Sequence, residues 1–167
     1  MKSRTERLRQ SVGPEPYVDL DKSLGFLIYR VHQRAMAEFR RTLEPAGLTP
    51  QQFGLLALLH ERDGQRQAEL CARGAIDPNT MVGLIDRLVA LGMVERRRDP
   101  RDRRAQQIRL TPAGRRRFRQ LWPMQRRTAR RLWSALTEPE QALLRELLLR
   151  VLTTGQDAGR GKGGVHD

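Results

Sequence analysis

The sequence has very little cysteine and no long apolar run. Cys71 is the only cysteine among 167 residues, so no intrachain disulfide can form and no zinc ribbon or iron–sulfur centre can be built from thiolates. No 18 apolar residues run together, and residues 1–10 are polar and charged, without the apolar segment of a secretory signal. These absences predict a cytoplasmic protein that neither crosses a membrane nor is exported.

Lysine is also scarce, and the basic charge is concentrated in one part of the chain. Only three of the 32 basic residues are lysines, and the formal net charge is +13. Fifteen arginines lie within residues 95–131, against three acidic residues. Such an excess predicts a polyanionic partner. The arginines of residues 115–131, taken alone, fit a solvated helix face equally well.

The motifs of enzyme chemistry are missing. The sequence contains no glycine-rich phosphate loop, no nucleophile elbow and no catalytic carboxylate pair. His60 has no second histidine or carboxylate at ligand spacing, so no metal site is expected. The sequence therefore predicts a protein without catalytic activity, metal or cofactor.

Apolar periodicity and helix-start signals predict a mainly α fold with one small β-hairpin. Capping boxes begin at Thr49 and Thr137, and Asp77 precedes Pro78 as a helix N-cap. The predicted elements are helices at 20–43, 50–62, 65–73 and 78–91, strands at 93–97 and 106–110, and helices from 112 and from 138, with a candidate kink at Pro123.

The predicted helix at 78–91 has one face suited to packing and another suited to reading DNA. Its apolar stripe runs through Met81, Leu84, Ile85, Leu88 and Leu91. A helix in the major groove needs small and hydrogen-bonding residues near the bases, flanked by cations. The opposite face supplies such residues: Asn79, Thr80, Gly83, Arg87 and Ala90. For this helix taken alone, an ordinary amphipathic surface helix remains the alternative.

The segments on either side of this helix complete a winged helix-turn-helix. A short helix and turn precede it, and the hairpin that follows carries six arginines around its tip. A guanidinium at the tip can enter the narrow minor groove while its neighbours hold phosphates. Asp99 and Asp102 would repel phosphate, so we expect them to hold the arginines in position.

These motifs resemble the multiple antibiotic resistance regulator (MarR) family of winged helix-turn-helix repressors over roughly residues 20–153. The wing sequence Asp99-Pro100-Arg101-Asp102-Arg103-Arg104 matches the family's Asp-x-Arg pattern. The other matching segments are Leu110-Thr111-Pro112-Ala113-Gly114, Leu48-Thr49-Pro50-Gln51-Gln52-Phe53 and Leu88-Val89-Ala90-Leu91-Gly92-Met93-Val94.

The resemblance implies a homodimer that reads a pseudo-palindromic operator in double-stranded DNA. Arg101 would enter the minor groove with Asp99 supporting it. Apolar stripes at both chain ends independently favour a dimer, because a partner subunit would cover them. The full predicted DNA-binding set is Gln67, Pro78, Asn79, Thr80, Gly83, Arg87, Arg97, Asp99, Arg101, Arg103 and Arg104.

The domain organisation follows from these elements. We expect a flexible arm at 1–18, a helical dimerisation region formed by 19–47 and 112–153, a winged helix-turn-helix DNA-binding domain at 48–111, and a disordered tail at 154–167.

Members of the family release DNA when they bind a phenolic or aromatic carboxylate, or when a cysteine is oxidised. Gly25 stands where the peroxide-sensing relatives have their reactive thiol, and Cys71 fits a packing role better than a redox role. Helix one resembles members that control aromatic-acid breakdown, some of which respond to the coenzyme A thioester of the acid. Tyr29, His32 and Arg34 are the candidate ligand-binding residues, with surface or dimer contacts as their alternative role.

The sequence thus predicts a regulator, most simply a repressor, released by an aromatic carboxylate or its coenzyme A thioester. The alternative is a nucleoid-type protein that binds DNA or RNA by charge alone. Charge-only binding does not need Asn79 or Thr80, whereas sequence reading does.

Overall fold

The computed structural model describes residues 19–99, 102 and 105–157, which form two compact units, one up to Ala37 and one from Glu38 onward. The predicted N-terminal arm and residues 158–167 of the predicted tail lie outside the described residues.

The first unit contains a 3₁₀ turn, Leu20–Lys22, and most of helix α1 (Leu24–Leu43). Its apolar stripe faces solvent in the single chain: Leu24 is 76% exposed and Ile28 is 53% exposed. A contiguous exposed apolar stripe of this kind marks a surface that another element covers.

The second unit holds the remaining elements, and the predicted mainly α fold with a β-hairpin is confirmed. After a 3₁₀ turn at Glu44–Ala46 come α2 (Pro50–Glu61), β1 (Gln65–Arg66), α3 (Gln67–Gly74), α4 (Pro78–Ala90), β2 (Val94–Arg98), β3 (Gln106–Leu110), α5 (Pro112–Leu132) and α6 (Glu138–Asp157).

One hydrophobic core joins the helix-turn-helix to the sheet and to α5. Leucines of α2 and α3 pack with the apolar face of α4, the inner face of the hairpin and the first half of α5. Burying each such side chain contributes about 1.5–3 kcal/mol. The central residues are Leu55, Leu56, Leu59, Leu70, Met81, Ile85, Leu88, Val94, Ile108, Leu110, Phe118 and Leu121.

The sheet is antiparallel in the order β1-β3-β2. Strand β2 pairs with β3 from Val94↔Leu110 to Arg98↔Gln106. Ile108 and Leu110 are buried while Arg109 lies on the more exposed face, the alternation of a strand with one buried face. The two-residue strand β1 was not predicted, and α3 therefore begins at Gln67 rather than at residue 65.

The predicted helix starts are formed by side-chain caps. Thr49 Oγ1 accepts from the backbone N of Gln52 at 3.2 Å, and Gln52 Oε1 accepts from the backbone N of Thr49 at 2.9 Å. Glu140 accepts from the backbone N of Thr137 at 2.7 Å, and this hydrogen bond holds the pKa of Glu140 below its ordinary value.

The last two helices are more continuous than the sequence suggested. Helix α5 passes through Pro123 as one element. Helix α6 runs to Asp157, so residues 154–157 of the predicted disordered tail are helical. An established helix extends through a single glycine at a cost of only about 1 kcal/mol, and this explains why Gly155 does not end it.

Candidate nucleic-acid interface

Helix α4 begins at a side-chain cap and presents its two faces as predicted, except that Leu91, expected in the apolar stripe, is 40% exposed because the helix ends at Ala90. Asp77 Oδ1 accepts from the backbone N of Thr80 at 3.0 Å, and Pro78 occupies the first turn. Hydrogen bonds from the Thr80 side chain and backbone lower the pKa of Asp77 from its ordinary value. The packing face is buried at Met81, Leu84, Ile85 and Leu88.

The opposite face of α4 is open to a partner. Asn79, Thr80, Gly83 and Arg87 are all exposed. A Cβ built on Gly83 would meet nothing within 4 Å. Since glycine costs about 1 kcal/mol in a helix interior and packing does not require it here, the fold gives no reason for Gly83.

The N-terminal end of α3 lies beside the start of α4. Gln67 is half-buried, and its Nε2 donates to the carbonyl oxygen of Pro78 at 3.4 Å. Helix α3 ends at Gly74, and the next residue, Ala75, has a left-handed φ of 49° that sets the turn between the two helices. Gln67, Pro78, Asn79 and Thr80 therefore cluster at one end of the helix-turn-helix.

The arginines of strand β2 are held by acidic neighbours. Arg96 pairs with Asp86 of α4, and Arg97 Nε lies 2.7 Å from Glu95 Oε1. Both guanidinium groups keep exposed surface, so the ion pairs orient them without removing them from solvent. Arg101, Arg103 and Arg104 lie outside the described residues.

Asp99 is the buried acid of the wing, and its described side-chain partner is Arg66 of β1. Arg66 donates to Asp99 Oδ2 from Nε at 3.0 Å and from Nη2 at 2.8 Å. The side-chain hydrogen bond with Asp99 raises the pKa of Arg66 above its ordinary value. The expectation that Asp99 supports Arg101 falls outside the described residues; the partner that the structure does describe is Arg66, which the sequence reasoning did not name.

Asp63 ties the sheet to the start of α5. Its Oδ1 accepts from the backbone N of Leu110 at 2.9 Å, and its Oδ2 pairs with Arg115. Gln65 of β1 is fully buried and donates from Nε2 to the carbonyl oxygen of Leu58 at 3.0 Å. Partly buried polar contacts thus fix β3 to the start of α5 and β1 to α2.

The candidate ligand-binding residues lie on α1 in the first unit. The side chains of Tyr29, His32 and Arg34 are exposed. Their neighbourhood includes an aromatic pair, because the Phe26 and Tyr29 rings are 6.4 Å apart, and Arg30 lies 5.9 Å over the Phe26 ring.

A cavity and a buried amide in the second unit were missed by the sequence reasoning. The cavity has a volume of about 380 Å³ and is lined by Thr42, Met124, Arg127, Thr128 and Arg131. Gln125 is 6% exposed, and its Nε2 has no hydrogen-bond partner among the described residues. Their signal in the sequence was weak because all but Thr42 lie in the arginine-rich stretch.

Other candidate chemistry is limited. Cys71 is partly buried and packs against the hydrophobic core, as a packing thiol would. Within the described ranges no group of three or more His, Cys, Asp or Glu side chains could hold a metal ion. None of the helices described is long and apolar enough to cross a membrane.

Comparison with known proteins gives consistent matches. Residues 46–105 match the model of the MarR family. The chain is 30% identical over 144 residues to the transcriptional repressor NicR of Pseudomonas putida, covering 86% of this chain and 90% of NicR.

Two solved structures are similar over most of the chain. Bordetella bronchiseptica BpsR, whose DNA binding is regulated by 6-hydroxynicotinic acid, has a TM-score of 0.75 and 29% identity, covering 81% of this chain and 96% of BpsR. A mutant MarR from E. coli in complex with operator DNA has a TM-score of 0.72 and 31% identity, covering 77% of this chain and 93% of that chain.

Proposed function

Because the chain belongs to the MarR family of transcription regulators, which are not enzymes, we propose that it is a repressor that reads a specific operator in double-stranded DNA. The observation that carries the proposal is the exposed polar face of α4, which begins at a capped N-terminus and lies beside an arginine-rich wing. A nucleoid-type protein that binds by charge alone would have no use for this face.

Each part of the interface has its own task. Helix α4 enters the major groove, where Asn79 and Thr80 contact base edges and Gly83 lets the backbone approach closely. Arg101 enters the minor groove, and its replacement by alanine is expected to cost about 1–3 kcal/mol of operator binding. The surrounding positions that hold phosphates or support these contacts are Gln67, Pro78, Arg87, Arg97, Asp99, Arg103 and Arg104.

The protein acts as a homodimer on a pseudo-palindromic operator. The exposed apolar residues of α1 and α6 support this proposal, because a monomer would leave Leu24, Leu147 and Val151 in water. We place the dimerisation region at 19–47 and 112–153 and the DNA-binding domain at 48–111. A dimer of this kind reads two half-sites about 34–36 Å apart on one face of the duplex.

The effector that releases the protein from DNA is an aromatic carboxylate or its coenzyme A thioester. BpsR, which responds to 6-hydroxynicotinic acid, supports the chemical class. Arg34 and His32 supply cationic or hydrogen-bonding groups for a carboxylate, and Tyr29 supplies an aromatic surface. A ligand releases the protein from DNA only if it binds more tightly to the conformation that cannot dock on DNA.

The Asn79→Ala variant tests sequence reading. Fluorescence anisotropy measures its affinity for the duplex upstream of its own gene and for a shuffled duplex. We expect the ratio between the two affinities to shrink, because Asn79 contacts a base. Arg119→Ala, which removes one exposed charge from α5, serves as the control and should preserve the ratio. Equal losses on both duplexes for Asn79→Ala would make it a phosphate-positioning residue.

A ligand panel tests the effector class. The operator complex is titrated with benzoate, 4-hydroxybenzoate, 6-hydroxynicotinate and 4-coumarate, and with the coenzyme A thioesters of these acids. The proposal is supported if one panel member releases the wild-type protein and releases Arg34→Ala less effectively. The operator affinity of the variant without ligand should be unchanged. Retention of the complex with every member rejects this effector class.

A further inference from the structure

We propose that Arg66 is a positioning residue that fixes the wing to the helix-turn-helix, so that the two DNA-reading parts keep a constant separation. The inference rests on the proposed function, because it assigns a role within DNA reading. It is carried by the contacts of one side chain that lies outside both the recognition face and the wing tip.

The contact between Arg66 and Asp99 joins β1 to the end of β2. Nε and Nη2 of Arg66 both donate to Asp99 Oδ2, at 3.0 and 2.8 Å. Nη2 also reaches Asp102 Oδ2 at 3.4 Å. The Asp99 side chain is only 6% exposed, so its charge is largely withdrawn from water, and the opposite charge of Arg66 stabilises it.

Asp99 is also the residue around which the described part of the wing turn is hydrogen-bonded. Its backbone N donates to the carbonyl oxygen of Ala105 at 2.9 Å. Its carbonyl oxygen accepts from the backbone N of Asp102 at 3.3 Å. A side chain that holds Asp99 therefore holds both ends of the turn that carries the wing arginines.

Arg66 is itself anchored to the helices. Its backbone N donates to Glu69 Oε2 at 2.8 Å, and Glu69 Oε1 accepts from Arg62 Nη2 at the end of α2. The hydrogen bond from the Arg66 backbone lowers the pKa of Glu69, so Glu69 stays ionised. Two sets of ion pairs, joined by the hydrogen bond from the Arg66 backbone to Glu69, thus connect α2, α3, β1 and the wing.

This connection supplements a weak strand pairing. Strand β1 pairs with β3 through only two residues, Gln65↔Ile108 and Arg66↔Gln107, and makes no ladder with β2. The ion pair spans β3 and attaches β1 to the far strand. Such an attachment favours simultaneous contact with two grooves. A mobile wing would lose conformational entropy when it binds, and this loss would lower the affinity for DNA.

The competing role for Arg66 is a direct phosphate contact, since its side chain is 44% exposed. The geometry favours positioning because the Nε and Nη2 donors are already committed to Asp99. The two roles differ in salt dependence: losing a phosphate contact reduces the slope of log affinity against log salt by about 1, whereas losing a positioning residue leaves the number of phosphates unchanged.

We call the ion pair between Arg66 and Asp99 the clamp. Hydrogen exchange of the protein without DNA tests the clamp independently of the proposed function. We expect Arg66→Gln and Asp99→Asn each to speed amide exchange in residues 95–106 by about tenfold, and the double variant to add less than twofold. Exchange in α2 should not change, and this shows that the variants remain folded. Unchanged exchange in residues 95–106 in both single variants would overturn the proposal.

A double-mutant cycle with Arg101→Ala then links the clamp to DNA reading. Arg66→Gln should weaken operator binding about tenfold in the wild-type background and less than twofold in the Arg101→Ala background, with the salt slope preserved. Arg119→Ala is the charge control. An equal loss in both backgrounds, with a slope reduced by about 1, would make Arg66 a phosphate contact. A wild-type protein that fails to distinguish operator from shuffled DNA would refute the proposed function, while the exchange result would still decide the clamp.

Discussion

Gly114, in the first turn of α5, lies so close to the backbone of Met93 that a Cβ built on it would overlap the Met93 carbonyl oxygen. The same carbonyl accepts the backbone N–H of Thr111, which caps α5. The motif Leu110-Thr111-Pro112-Ala113-Gly114 therefore has a packing reason: it lets α5 begin directly against the base of the wing.

Gly114→Ala is expected to destabilise the protein strongly. The clash is with backbone atoms that cannot rotate away, so we expect a loss of about 3 kcal/mol or more in the free energy of unfolding. Urea unfolding measures the change. Gly54→Ala is the control, because Gly54 is exposed in α2 and a Cβ there meets nothing within 4 Å. Equal stability of the two variants would show that α5 does not need this close approach.

Gly83→Ala separates folding from DNA reading. The substitution should raise the free energy of unfolding by about 0.5–1 kcal/mol, since alanine favours helix and meets no neighbour. It should at the same time weaken operator binding by about 1–3 kcal/mol, because the added methyl group holds α4 away from the bases. Gly54→Ala should gain stability without losing operator affinity. Full operator affinity in Gly83→Ala would place α4 farther from the groove floor than proposed.

Acid titration of stability should reveal the cap of α4. The folded pKa of Asp77 is lowered, so its stabilising contribution is present above the ordinary aspartate pKa of about 4 and is lost as pH falls through the lowered value. Asp77→Asn keeps an N-cap residue of similar strength and removes the titration. We expect similar melting temperatures at pH 7 and a smaller decline of the variant below about pH 4. Melting temperatures that fall equally with pH in the wild type and in Asp77→Asn would contradict the assignment.

Leu147→Glu should dissociate the dimer. Leu147 is 43% exposed in the single chain and belongs to the apolar surface of α6 with Leu143 and Val151. A carboxylate buried in the dimer contact would be unpaired and costly. Sedimentation velocity should show a dimer for the wild type and a monomer for this variant. Arg150→Glu places the same side chain at another exposed position of α6 and should remain dimeric. A monomeric wild-type protein would contradict the proposal of an operator with two half-sites.

Local signals in the sequence were enough for most of the DNA-binding domain. The cap at Asp77, the two faces of α4 and the alternation of Ile108 and Arg109 all follow from patterns within a few residues, and the structure has each of them. Short-range periodicity determines these features because they depend on helix and strand geometry alone.

The features that the sequence did not reveal depend on distant contacts. Strand β1 has two residues and therefore no period to detect. The pair of Arg66 and Asp99 is separated by 33 positions, and an arginine among so many others gives no signal of its own. The two residues come together only in the folded sheet, where β3 pairs with both β1 and β2.

The account depends most directly on whether this protein reads sequence. Wild-type protein is titrated by fluorescence anisotropy against the duplex upstream of its own gene and against a shuffled duplex of equal composition, at two salt concentrations. We predict an affinity for the native duplex at least about 10³-fold higher at physiological salt, with the preference kept at the higher salt. Equal affinity for both duplexes, with only a steep salt dependence, would contradict the account and indicate binding by charge alone.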